Sequence, residues 1–324
     1  MNRFRRRMRA FLPVLLLFAA CGASDPILVL REDGSDFRET MEGLVRELGP
    51  EFAFEEKIVE GGFGPREAVS LIAAHRPRAM VLMDNEAIRI HAAAQKLWND
   101  SVVPYPPAIA LMAVRVDKAI AGVRNTSGIF YEVPGLTIFL NLRALSKAPI
   151  HKVGVIARPY MADFVRESAA WCERESIRLV SHEIPDGRKN VARAVREGIR
   201  RLRDREKVDA LWILNDNYFL TAEIIREGWI PALERFRKPV LVGVENFVSP
   251  GSRFGAYAVL PDHYGLGAQA AGMIVRLKED GWRMGQKAKV EHPLAVHKVL
   301  NLESARKSMR IRPESLMEVD KVVE

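Results

Sequence analysis

Cysteine, long apolar runs and catalytic signatures are all scarce in this chain. With two cysteines in 324 residues, Cys21 and Cys172, no disulfide framework can hold it together, so stability must come from packed apolar cores. A chain this long exceeds what one core usually serves, and two units of roughly 100 to 200 residues each are expected. No internal repeat with a period of about 20 to 50 residues and no low-complexity tract is present, which excludes solenoids and propellers. Gly-x-Ser-x-Gly, Walker and His-Glu-x-x-His signatures are missing too. "EGGFGPRE" is glycine-rich but lacks the dinucleotide spacing and a phosphate-binding lysine, so it reads as a turn opening a helix at Pro65. The seven histidines are scattered. His292 and His297 flank a proline-containing, strand-like segment, a poor ligand geometry, and neither metal nor other cofactor is expected.

The formal charge of +8 is unevenly spread, since Arg3, Arg5, Arg6, Arg7 and Arg9 lie in the first ten residues and the rest of the chain carries only +3. Those arginines precede "AFLPVLLLFAAC", an apolar stretch too short to span a bilayer comfortably and ending in small residues. This is the layout of a secretory signal, and Leu17, Phe18, Ala19, Ala20 and Cys21 resemble the bacterial lipobox. The resemblance implies loss of residues 1–20, a lipid on Cys21 and a short tether over 21–26. Gly22 in place of Asp implies sorting to the outer membrane of a Gram-negative envelope. An uncleaved membrane anchor is the alternative. The arginines at 193, 196, 200, 201, 203 and 205 in "NVARAVREGIRRLRDRE" are interspersed with acids and read as a solvated helix face with i,i+4 pairs. Together with export, that argues against a nucleic-acid partner. Cys172, beside Trp171 on a predicted helix, reads as a buried thiol rather than a nucleophile.

From residue 27 onward, strand-like runs alternate with amphipathic ones. The strands "PILVLRED", "EFAFEEKIV", "RAMVLM" and "PAIALMAV" are separated by the helices "SDFRETMEGLVREL", with Ser35 as N-cap, "GPREAVSLIAAH" and "NEAIRIHAAAQKLW". "VDKAIAGVRNTSGIFYEVPG" breaks the rhythm and reads as a crossing. The alternation then restarts with "PGLTIFLNLRALSK" and runs to "KPVLVGV". A second break, "ENFVSPGSRFGAYAVLP", leads to a long helix from Asp262, and a third irregular stretch leads to "VHKVLNLESARKSMRI". The pattern predicts an α/β fold of two Rossmann-like lobes with parallel sheets joined by a three-segment hinge. The expected division is 27–118 plus 248–290 for one lobe and 119–247 plus 291–324 for the other.

Ligands of open parallel sheets bind beyond the carboxyl ends of the strands. Two apolar strands here end on the same pair, Asp84-Asn85 and Asp216-Asn217. Asp and Asn are favoured helix N-caps. They also suit opposite walls of one cleft, and a single loop can serve both roles. The candidate ligand contacts are Ser35, Asp36, Phe37, Asp84, Asn85, Arg158, Tyr160, Asp216, Asn217 and Glu245. Two carboxylates among Asp36, Asp84, Asp216 and Glu245, set about 5 to 9 Å apart, would suit a hydrolase, although no motif demands one.

"NTSGIFYEVP", "HKVGVIARPYMAD", "VDALWILNDN", "DHYGLGAQAAGMIVRLKEDG" and "VLNLESARKSMRI", in that order and spacing, resemble the periplasmic substrate-binding lipoproteins of ABC transporters. These have a type I binding-protein fold, and the group includes tryptophan-binding members. The resemblance runs from about residue 27 to 313. It implies a monomeric, non-enzymatic clamshell that closes on a small molecule, often an amino acid, and presents it to an inner-membrane permease. Asp216 and Asn217 match the family's Thr-Asp-Asn, with Asn215 in place of Thr, and Asp36 stands where its first loop commonly carries Asp. Arg158 and Tyr160 occupy the loop usually written Asn-Pro-x-x-Ala-Asn, of which Pro159 and Ala162 persist. The third-strand loop, Gly-Thr-Pro-Ala-like in the family, is Met83, Asp84, Asn85 and Glu86 here.

In amino-acid binders, a loop of small residues offers donors to the ligand carboxylate. Acids there repel it, by on the order of 1 kcal/mol in water and more in a closed cleft. A cationic, amide-bearing or hydroxylated ligand therefore suits these walls, unless Arg31 and Arg158 supply donors. A sensor or scaffold of the same fold without transport, and less readily a periplasmic hydrolase, are the alternative functions.

Overall fold

The computed structural model describes residues 24–99, 103–285 and 290–324. The signal segment, Cys21 and the start of the tether lie outside the described residues. In chain order the strands are β1 (Asp25–Arg31), β2 (Phe52–Ile58), β3 (Ala79–Met83), β4 (Ala108–Leu111), β5 (Thr126–Ile129), β6 (Lys152–Ala157) and β7 (Arg178–Glu183). They continue with β8 (Ala210–Ile213), β9 (Val240–Val242), β10 (Tyr257–Pro261), β11 (Val290–Glu291), β12 (Val296–Asn301) and β13 (Lys321–Val323). The helices are α1 (Ser35–Leu48), α2 (Pro65–His75), α3 (Asn85–Leu97), α4 (Val116–Ala119), α5 (Gly135–Leu145) and α6 (Ala162–Arg174). After them come α7 (Val191–Asp204), α8 (Ala222–Ile224), α9 (Ile230–Leu233), α10 (His263–Glu279) and α11 (Leu302–Ser308).

Strands β3, β4, β8 and β10 are buried at every residue because helices cover both faces of their sheets. The edge strands β2 and β7 keep charged residues in solvent. One sheet has the order β11-β5-β4-β3-β1-β2 and the other β13-β12-β10-β9-β8-β6-β7. Every pairing is parallel except that of β10 with β12. Both sheets are wound alike: β1 leads to β2 on one side and then to β3 on the other, just as β6 leads to β7 and then to β8. Strand order thus reverses between β1 and β3 and again between β6 and β8, giving each lobe one crevice beyond its strand ends.

The sheets divide the chain differently from the sequence expectation. Strand β5, expected in the second lobe, pairs with β4 and β11 of the first sheet. Strand β10, expected in the first lobe, pairs with β9 and β12 of the second. A strand belongs to whichever neighbours accept its hydrogen bonds, and local periodicity does not name them. The crossings are consequently short: residues 130–134, Asp262 alone, and 292–295. They are tied together, since the Phe130 N–H donates to the Glu291 carbonyl at 2.9 Å and the Asp262 N–H to the Ala295 carbonyl at 3.1 Å.

Helix α10 follows β10 yet packs on α1 of the first lobe, through two glycines. A Cβ on Gly267 would lie 1.9 Å from the Thr40 carbonyl oxygen, and one on Gly43 2.1 Å from that of Tyr264. Between β8 and β9 the helical stretch is broken into α8 and α9, joined by a π-turn over Ile225–Trp229. Pro231, with no N–H to give, accounts for the altered pattern. Trp229 fills the bend, its indole N–H donating to the Phe219 carbonyl at 2.9 Å.

Candidate functional site

The crevice of the second lobe is built on an ion pair. Arg158, just after β6, donates from Nε to Asp216 Oδ2 at 2.7 Å and from Nη2 to Oδ1 at 3.0 Å. This two-point geometry is the strongest that a guanidinium and a carboxylate form. Nη1 reaches Asp186 at 3.2 Å, and the guanidinium lies against the rings of Tyr160 and Tyr218, 4.7 and 5.1 Å from their centroids. Asp216 is 2% exposed, and its hydrogen bonds push the Arg158 pKa above its ordinary value. Capping a helix is not its role, because Oδ1 accepts the Tyr218 N–H at 3.1 Å and closes a turn. The next helix, α8, is capped by Thr221.

The equivalent position in the first lobe is held by Asp84, after β3. Here the capping expectation is met: Oδ1 accepts the Ala87 N–H at 2.6 Å. The other oxygen, Oδ2, is buried and accepts no hydrogen bond among the described residues. Its acidic neighbour is Glu32, beyond β1, and burial first, then Glu32, pushes the Asp84 pKa up to about 7. The backbone of Asp84 has φ 104 and ψ 173, a region that favours glycine and that costs other residues on the order of 1 to 3 kcal/mol. Arg31, at the end of β1, is turned onto Glu56 at 2.8 Å.

The remaining candidates divide. Asn85 makes a two-point contact with the Val114 backbone, both bonds 2.9 Å, and so pins the loop after β4. Helix α1 begins one residue earlier than expected, with Gly34 as its N-cap and no side-chain cap. Ser35, freed from that role, donates to Asp36 at 3.0 Å, and both are exposed. Phe37 packs against the first-lobe core. Asn217 is exposed. Glu245 turns to Lys321 at 2.7 Å and lies 4.0 Å from His297.

The carboxyl edges of the two sheets meet. From the first lobe, Lys118 Nζ donates to the Tyr160 carbonyl at 2.7 Å, lies 4.9 Å from that ring's centroid and is 3.5 Å from Asp163. Arg115 Nη1 donates to the same carbonyl at 3.2 Å. Beneath this contact is a cavity of about 20 Å³, lined by Tyr131, Glu132, Phe164, Trp212, Asn215 and Gly243 among others. It has room for one water. Among the described residues, Asp36 and Asp84 share no hydrogen bond or ion pair with Arg158 or Asp216; Lys118 and Arg115 bridge the lobes instead.

Glu132 was not singled out from the sequence. It is 5% exposed, its Oε1 accepts the Arg115 N–H at 2.7 Å, and its Oε2 is buried without a partner among the described residues. Burial pushes its pKa up to about 7. The available signal was an acid between aromatic and apolar residues in "GIFYEVP". Arg115, Lys118 and Asp186 were missed as well.

A larger groove of about 400 Å³ lies near Arg237, Lys238, Arg253 and Lys307, at the amino ends of β9 and β10 and away from the crevices. On α7, Arg193 pairs with Glu197 at 2.9 Å, as the i,i+4 reading expected. Cys172 is fully buried on α6, with its thiol pKa pushed up to about 11 by that burial. Among the described residues no helix is long and apolar enough to cross a membrane.

The sequence matches no protein-family profile and no curated protein. Solved structures are similar over nearly the whole chain. A substrate-binding protein with adhesive properties from Clostridium difficile, ligand-free and open, aligns with TM-score 0.64 and 14% identity over 92% of this chain and 99% of its own. An ABC domain in complex with L-Trp from Streptococcus pneumonia aligns with TM-score 0.58 and 17% identity, over 93% and 100%. An arabinose-binding protein from Geobacillus stearothermophilus aligns with TM-score 0.53 and 12% identity, over 88% and 99%. The fold is that of the type I periplasmic binding proteins.

Proposed function

We propose that this protein is a solute-binding protein of the bacterial envelope, anchored by lipid on Cys21, that captures a small polar molecule between its lobes and delivers it to an ABC-type permease. One observation carries the reading: two sheets wound alike turn their carboxyl edges toward each other, and the chain passes between the lobes three times through short, mutually bonded crossings. A ligand touching both edges binds the closed arrangement more tightly than the open one, and only that difference can move the hinge. The similar structures described as substrate-binding or sugar-binding support the same role.

The direct test is native mass spectrometry of protein purified from its own envelope, backed by a thermal-shift panel of amino acids, amines and sugars. A retained small molecule in one-to-one ratio, or stabilisation by one class of the panel, is expected. No retained mass and no stabilisation by any class would contradict the proposal. The mass of the mature amino terminus checks the lipid on Cys21.

A further inference from the structure

We infer that the Glu132 carboxylate, at the hinge-side end of the cleft, receives the protonated amine of the captured solute, so that the ligand class is small primary amines lacking a carboxylate of their own. This deepens the solute-capture reading and rests on it. A buried carboxylate oxygen with nothing to accept from is costly, and Glu132 Oε2, unpartnered among the described residues, is such an atom on a residue lining the small cavity between the 130–134 crossing and the second lobe. The neighbouring cation does not satisfy it. Arg115 gives Glu132 only its backbone N–H. Its side chain is spent on Asp117, with Nε at 2.8 Å and Nη2 at 2.5 Å, and on the Tyr160 carbonyl. A cavity the size of one water suits an ammonium head, and Phe164 and Trp212 are among its walls.

The rest of the cleft selects against a ligand carboxylate. Arg31 is held by Glu56, and Arg158 by Asp216 and Asp186, so neither guanidinium stands free to receive an anion. The amino end of α3, where an anion would otherwise find N–H donors, is filled by the Asp84 carboxylate. In the first lobe, Asp84 Oδ2 is a second buried carboxylate oxygen that accepts no hydrogen bond among the described residues, with the Glu32 carboxyl beside it. An amino acid would bring one group that fits and one that is repelled.

The other ionisable groups influencing Glu132 are Arg115 and Asp117 of the first lobe, Tyr131 beside it in the crossing and Tyr160 of the second lobe. With its own pKa near 7, the carboxyl loses its proton to solvent when the ammonium arrives, so at pH 6 binding releases protons.

The experiment is isothermal titration of wild type, Glu132→Gln and the exposed control Glu42→Gln with n-butylammonium, phenethylammonium, n-butanol, butyrate and phenylalanine, in two buffers of different ionisation heat. The amines are expected to bind wild type and the control, to release protons at pH 6, and to lose roughly tenfold or more in affinity in Glu132→Gln, the scale of a charge-assisted hydrogen bond. The glutamine variant removes a buried charge at constant shape, so it folds. Amines binding no better than butanol, or equally well to Glu132→Gln, would overturn the inference. If butyrate or phenylalanine binds instead, the amine assignment falls and solute capture stands. If native mass spectrometry and the wider panel find no solute of any charge, both fall.

Discussion

Arg158 and Asp216, 58 residues apart, form a two-point ion pair across the crevice of the second lobe, with contacts of 2.7 and 3.0 Å. The matching crevice of the first lobe has an aspartate in the same topological place, Asp84, but its neighbour beyond β1 is Glu32. Equivalent positions in two like sheets thus carry opposite electrostatics, one neutralised and one left acidic.

Replacing Arg158 with alanine leaves Asp216 buried and uncompensated. Chemical denaturation should find the variant destabilised by about 3 kcal/mol, the scale for breaking a buried pair. Asp186→Ala, which removes only the exposed third partner, should cost less than about 1 kcal/mol.

Glu132 is protonated more readily in the folded chain than in the unfolded one, so its contribution to stability is present below its ordinary pKa of 4.5 and is lost as pH rises through about 7. Glu132→Gln keeps the shape and removes the loss. Without ligand, the variant should match wild type near pH 4 and exceed it at pH 8 by up to roughly 3 kcal/mol, one pKa unit being worth about 1.4 kcal/mol. Thermal melts across that range measure the difference.

Asp84 separates capping from charge. Asp84→Asn keeps an acceptor for the Ala87 N–H and relieves repulsion from Glu32, so its melting temperature at pH 8 should equal or exceed that of wild type. Asp84→Ala loses the cap and should cost about 1 kcal/mol.

Lys118→Met removes the 2.7 Å bond to the Tyr160 carbonyl and the pairing with Asp163. Small-angle scattering of the ligand-free variant should give a larger radius of gyration than wild type, because the clearest polar contact between the lobes is gone.

Gly267→Ala places a methyl 1.9 Å from the Thr40 carbonyl oxygen. Neither helix can yield without breaking the α1–α10 contact, and a loss of about 3 kcal/mol or failure to fold is expected. Circular dichroism melts check this.

The architecture was legible in the sequence where the strands are continuous apolar runs, as in β1, β3 and β8, because covering both faces of a sheet demands that composition. Strand β5, Thr126–Ile129, falls within the stretch whose sequence reads as a crossing, since its four residues "TSGI" show neither alternation nor a long apolar run. The repeated Asp-Asn pair pointed correctly to two strand ends, yet its members diverge: Asp84 caps a helix, Asn85 ties down a loop, Asp216 pairs with arginine and Asn217 stays exposed. Which cation answers which acid depends on contacts dozens of residues apart, and residue spacing carries no record of them. Glu132 is not legible from "GIFYEVP", because nothing local distinguishes a buried acid from a solvated one.

The most direct test of solute capture between the lobes is a crystal structure of the protein with the molecule it retains from its own envelope. The account predicts density in contact with both lobes, with Glu132 of the crossing and the Asn215–Tyr218 turn of the second lobe among its contacts, and the lobes closed around it. Density confined to the outer surface of one lobe, or a retained molecule that leaves the cleft empty, would contradict it.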